Sequence, residues 1–216
     1  MLQGTPVVFV GGYGDNYPLR VYDLNKGTGA MTQRGGDFKA GTSPSYLALD
    51  PSRTHLYAAN EAGGSEGGIT ALTINADGSL TTLNHQQGSD GGFTHLAVDP
   101  TGKFVIGAAY DGGSVSVFPI AAEGTLGAEL DNADFGGNSK AHAVAYDATG
   151  KYVFVPTLGN NRVDQLLLGT DGMLSANNPA SVASAGGAGP RHIAVHPNGK
   201  LAFVINESNS TVTPYQ

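Results

Sequence analysis

A repeat of 48 to 49 residues constrains this chain more than any other feature. The segments SPSYLALDPSRTHLYAANE (from Ser43), FTHLAVDPTGKFVIGAAY (from Phe93), KAHAVAYDATGKYVFVPTL (from Lys140) and GPRHIAVHPNGKLAFVINE (from Gly189) superimpose on Asp50, Asp99, Asp147 and His196, in steps of 49, 48 and 49 residues. Each copy holds an alternating run such as Leu47 and Leu49 or Ile193 and Val195, then a turn rich in Asp, Pro, Asn and Gly, then a β-branched or aromatic run. That pattern is a hairpin signature. A third run follows at Arg20, Ile69, Val115, Val163 and Thr211, and a weaker fourth follows turns at Gly27, Gly78, Gly124 and Gly172. Four strands per repeat of this length describe one blade of a β-propeller. A β-sandwich or a solenoid has similar strand density, but a sandwich has no reason to repeat its sequence at a fixed period. The expected fold is therefore all-β, with four-stranded antiparallel blades and no helix longer than about two turns.

The repeat also counts the blades. Dividing the 216 residues by 48 gives about 4.5 blades. VVFVGGY, from Val7, aligns with the second strand of later blades, and the last repeat stops after its third strand. No interdomain linker is visible, so residues 1–216 are expected to form a single propeller domain or a piece of one. Glycine, at 33 residues, is spread along the chain, as turn-rich β structure requires and as long helices forbid.

Composition excludes several functions. No apolar run approaches the roughly 20 residues of a membrane helix, and Met1 is followed by neither a basic nor an apolar leader segment. A soluble, cytoplasmic protein without a membrane partner is the expectation. Zero cysteines exclude disulfides, thiolate nucleophiles and thiolate metal sites. A net charge of −7 with no basic cluster offers no footprint for nucleic acid.

In a repeated ring, residues at one repeat position share one radius and height. The column five residues before the turn anchor holds Ser45, Thr94, His142 and Arg191, expected to precede the innermost strands and rim the channel mouth. A second column, just past the second strands, holds Tyr13, Glu61, Tyr110, Leu158 and Glu207. The polar entries vary from blade to blade while the strand cores stay alike, the pattern of a site grafted on a scaffold. His142, Arg191 and Glu207 are expected to converge, with His192 behind them and Ser45, Glu61 and Thr94 available to bind substrate. Each has a plainer reading: Arg191 in a surface ion pair, His142 as a satisfied channel-wall residue, Glu207 as a turn cap. His55, His85, His95 and His196 are less persuasive candidates, and no histidine pair has zinc-site spacing. The runs at Gly11 and Gly186 precede no helix, so they are not phosphate loops, and no GxSxG elbow is present.

The stretch GGAGPRHIAVHPNGKLAFVINESNSTV (Gly186 to Val212), with VVFVGGYG and LALDPSRTHLYAANE, resembles the propeller-type 6-phosphogluconolactonase family, which includes carboxymuconate lactonising enzymes. Its most specific part is the GPRH box, followed by Glu207 sixteen residues after Arg191. The resemblance implies a seven-bladed ring, an active-site set of Arg191, Glu207 and His142, and hydrolysis of 6-phospho-D-glucono-1,5-lactone without metal or cofactor. It leaves open whether Glu207 or His142 activates water, and whether Arg191 holds an oxyanion or a phosphate. Against seven blades this chain is about two and a half short, so an open arc is expected, completed by a missing propeller segment or by self-association; closure as a five-bladed ring is the lesser alternative. YVFVPTLGNNRV and FVINESNSTV also resemble the YVTN repeats of non-catalytic binding propellers, and a carboxymuconate substrate fits the same three residues.

Overall fold

The computed structural model describes residues 6–14 and 18–216; the leader expectation at Met1 lies partly outside them. Strands, with isolated bridges, account for 51% of the described residues. Five sequential antiparallel meanders contain them. The first sheet comprises β1 (Val7–Val10), β2 (Arg20–Leu24) and β3 (Met31–Gln33), and the second β4 (Pro44–Leu49), β5 (His55–Asn60), β6 (Gly68–Ile74) and β7 (Leu80–Gln86). The third holds β8 (Phe93–Val98), β9 (Phe104–Ala109), β10 (Ser114–Pro119) and β11 (Asp131–Asp134). The fourth holds β12 (Ala145–Tyr146), β13 (Tyr152–Thr157), β14 (Arg162–Leu168) and β15 (Leu174–Ala183). The fifth has β16 (Pro190–Val195), β17 (Ala202–Asn206) and β18 (Thr211–Tyr215). Among the described residues the only helical element is a single 3₁₀ turn, Gly64–Glu66, and no helix is long and apolar enough to cross a membrane.

The turn anchor explains why the hairpins recur. Buried Asp99 accepts hydrogen bonds from the amides of Thr101, Lys103 and Phe104 at 2.9, 2.7 and 2.7 Å, closing the β8–β9 turn. Asp50 and Asp147 do the same for Thr54, His55, Thr149 and Tyr152. In the fifth sheet His196 substitutes its Nδ1, which accepts from the Asn198 amide at 3.1 Å.

Apolar layers between neighbouring sheets form the core. Leu19 and Val21 pack with Leu56, Ala58 and Leu72; Tyr57 and Ile69 with Phe93 and Phe118; Ile106, Val115 and Val117 with Val144, Val153 and Val155. Fully buried Phe93 meets Phe118 edge-on at 6.1 Å, and burial of such a ring stabilises by about 2–3 kcal/mol. Gly107 makes room for it, since a Cβ there would lie 2.5 Å from the Phe93 ring. Between the fourth and fifth sheets lies a groove lined by Phe154, Val163, Val182, Ile193 and Val195. Beyond it, the far face of the fifth sheet leaves Phe203, Ile205 and Val212 exposed.

The innermost strand of the fourth sheet departs from the expected pattern. It is reduced to Ala145–Tyr146, with an isolated bridge from Ala141 to Thr157. The cause lies opposite, where Pro156 of β13 has no amide to donate to the ladder.

Candidate functional site at the channel mouth

The first residue column sits on a repeated β-bulge. The register slips by one residue at Ser45, at Thr94 and at Arg191, inside β4, β8 and β16. His142 occupies the same place: Ala141 bridges Thr157, whereas Ala145 already pairs with Phe154. This corrects the expectation that the column precedes the innermost strands. Ser45, Thr94 and Arg191 belong to the strands, and only His142 lies ahead of a shortened one. A bulge leaves its extra residue out of the ladder and re-aims its side chain, which is how a strand points a polar group at a rim.

A second repeated feature joins the two columns. Two residues before each bulge residue the backbone is left-handed, with φ of 46° at Ser43, 72° at Gly92, 53° at Lys140 and 64° at Gly189. The carbonyls of these four accept from the amides of Glu61, Tyr110, Leu158 and Glu207 at 3.0, 2.9, 3.2 and 2.8 Å. Both columns are thereby stapled at one level. At Gly189 glycine is favoured twice over, by the left-handed backbone and because a Cβ would fall 2.3 Å from Ser208 Oγ.

Arg191 Nε lies 2.9 Å from Glu207 Oε2, with side-chain exposures of 43% and 51%. The Nε–H is not aligned for a hydrogen bond, so the contact is an ion pair by distance. His142, from the neighbouring sheet, is buried and its Nδ1 has no hydrogen-bond partner. Burial first, then the charge of Arg191, then His192, depresses its pKa to about 4. Thr94 is buried and donates from Oγ1 to the His142 carbonyl at 3.0 Å, so its hydroxyl is committed to holding the bulge. Glu61 is half-buried with its pKa raised chiefly by burial, while the Ser45 hydroxyl and the Arg191 charge pull it down and Asp111 pushes it up. The Ser45 hydroxyl oxygen itself is buried and completes no hydrogen bond of good geometry.

Below the mouth, His192 lies 5.2 Å from both the His142 and the His95 rings, while Tyr46 stacks on His95 at 3.8 Å. His95 is held to a pKa of about 3 by burial and then by His192 and His142, and His192 is lowered by burial and then Arg191. Burial and the neighbouring positive groups favour the neutral form of all three imidazoles. His95, a less persuasive candidate by sequence, and Tyr46, not a candidate at all, thus belong to the site. A usable signal was present, since Tyr46, His95 and His192 each follow a bulge residue by one position. Among the described residues, no group of three or more His, Asp or Glu side chains is arranged to hold a metal ion.

Radial meanders around a shared, polar-mouthed channel define the class, a β-propeller. The chain belongs to the lactonase family of seven-bladed β-propellers, whose family model matches residues 7–216. It is similar to the 6-phosphogluconolactonase of Pectobacterium atrosepticum, at 35% identity over 79% of this chain and 49% of the relative. To that of Yersinia pestis strain Pestoides F it is 31% identical, over 94% of this chain and 58% of the relative. The chain thus spans about half the length of the curated relatives it matches. A solved structure from Bacteroides fragilis superimposes with a TM-score of 0.85 at 25% identity, covering 97% of this chain and 66% of that one. The periplasmic gluconolactonase of Pseudomonas aeruginosa superimposes at 0.83 over 97% of this chain and 66% of that one; at 24% identity it shows the fold alone.

Proposed function

We propose that this chain carries the catalytic set of a lactone hydrolase that opens 6-phospho-D-glucono-1,5-lactone to 6-phosphogluconate, the carboxylic ester hydrolysis of the pentose phosphate route. The observation that carries the reading is the Arg191–Glu207 ion pair at 2.9 Å beside the buried, uncharged His142. Water attacks the lactone carbonyl carbon and passes its proton to the His142 imidazole, while the guanidinium of Arg191 stabilises the developing oxyanion. The tetrahedral intermediate collapses by breaking the bond to the ring oxygen, which takes the proton back from the imidazolium, leaving a free hydroxyl and a carboxylic acid that ionises. Glu207 orients Arg191 and holds its charge at the mouth. Glu61 and His192 are available to the sugar hydroxyls, the buried Ser45 hydroxyl lines the site beside Glu61, and Thr94 supports His142 from behind.

In this reading residues 1–216 act within a single propeller, in the cytoplasm, on a small sugar lactone. The −7 net charge without a basic cluster argues against a nucleic-acid partner. The test is hydrolysis of the phosphorylated lactone by the purified chain against the spontaneous background at neutral pH. Acceleration that disappears in Glu207→Gln supports the proposal. A rate equal to background, with cyclisation of a carboxymuconate or no turnover at all, overturns it.

A further inference from the structure

We propose that Lys140 is the specificity residue that recognises the phosphate of a phosphorylated lactone at the channel mouth; this rests on the lactone hydrolysis proposed above. Lys140, with φ of 53°, occupies the left-handed repeat position that Ser43, Gly92 and Gly189 fill in the other three sheets, and it is the only charged residue of the four. A long side chain gains nothing in backbone energy there, since glycine adopts that conformation without steric cost. What a lysine adds at this position is its ammonium group. That group lies 5.4 Å from the centroid of the Tyr110 ring, within cation–π range. Tyr110 in turn meets His142 edge-on at 5.5 Å. Ammonium, phenol ring and imidazole thus form one continuous strip, with the candidate base at its inner end.

The charges around the mouth give that strip a direction. Glu61 follows β5, and Asp111 lies beside Gly92, where a Cβ would come within 2.6 Å of its carboxylate. Both acids belong to the second and third sheets. The cations Lys140 and Arg191 belong to the fourth and fifth. Arg191 is engaged by Glu207, whereas no ion pair among the described residues includes Lys140. Glu207 offsets the charge of Arg191, so an anionic substituent meets at Lys140 an ammonium held over Tyr110 without a carboxylate partner among the described residues. A lactone carbonyl beside His142 and Arg191 then leaves its terminal phosphate to Lys140, whose compact charge suits a phosphate without requiring a planar fork.

The readout is the ratio of kcat/KM for 6-phosphoglucono-1,5-lactone to that for glucono-1,5-lactone, measured in the wild-type chain and in Lys140→Met, Lys140→Gly and Lys140→Arg. Losing one charge-assisted contact to phosphate is expected to lower the ratio about tenfold in the Met and Gly variants, through KM, with most of it retained in Arg. The Gly variant should melt no lower than wild type, which separates recognition from folding. An unchanged ratio in Lys140→Met and Lys140→Gly overturns the assignment. If the wild-type chain hydrolyses neither lactone, the hydrolase reading fails by itself. Lys140 is then judged by titration with 6-phosphogluconate and with gluconate: a preference for the phosphorylated acid that Lys140→Met abolishes supports it, and no preference sinks it.

Discussion

Thr94 Oγ1 donates to the carbonyl of His142 at 3.0 Å, tying the bulge of the third sheet to that of the fourth across a blade boundary. The hydrogen bond is buried, so removing the donor leaves the carbonyl unsatisfied. Thr94→Val should cost about 1–2 kcal/mol of stability and lower kcat, and Thr94→Ser should restore both. A Val variant with wild-type kcat would show that the bond does not position His142.

Arg191 and Glu207 are both about half exposed, so their ion pair contributes no more than about 1 kcal/mol to folding. Arg191→Ala and Glu207→Gln should nevertheless each lower kcat/KM by about 10² or more, because a group aimed at developing charge matters far more in the transition state than in the fold. Melting temperatures close to wild type alongside that loss are the expected result. Wild-type kinetics in both variants would remove the pair from the catalytic set.

The buried histidines make stability depend on pH in a defined direction. Their folded pKa values are depressed, to about 4 for His142 and about 3 for His95, so between pH 6.5 and those values the unfolded chain binds protons that the folded chain refuses. Their stabilisation is fully present above about pH 6.5 and declines as the pH falls. Asp50 and Asp147 also have depressed pKa values, but their contribution is lost only below about pH 4, the ordinary carboxylate range. Melting temperature should therefore fall between pH 7.5 and pH 5, and His95→Gln should flatten that dependence. An equal slope in the variant would remove the cluster as its cause.

The outer face of the fifth sheet presents Ile205 and its cross-strand partner Val212, exposed by 50% and 60%, with Phe203 alongside. An apolar sheet face of this kind associates with whatever apolar surface it meets. Light scattering on the purified chain should report association that rises with concentration, and Ile205→Lys with Val212→Lys should reduce it. A dilution-resistant 22 kDa monomer would show that the exposed face does not drive association.

The sequence by itself determined the blades. An aspartate anchor repeated at steps of 48 or 49 residues, with alternating apolar runs on either side, specifies a hairpin wherever it occurs, because turn chemistry and strand period are local properties. The same repeat placed His142, Arg191 and Glu207 in columns that share a height, and the comparison with lactonases agrees on the family. What the columns could not convey is how neighbouring columns meet. His95 and His196 look alike as isolated histidines, yet His196 caps a turn through its Nδ1 while His95 is packed between Tyr46 and His192. The bulges at Ser45, Thr94 and Arg191 follow from pairing with a second strand, and the shortened β12 follows from Pro156 across the sheet. Burial of the imidazoles, and with it their uncharged state, arises only when the second to fifth sheets are brought around one axis. Local sequence decides strand and turn; the contacts that tune a side chain's charge come from residues about fifty positions away, and only the tertiary structure sets them.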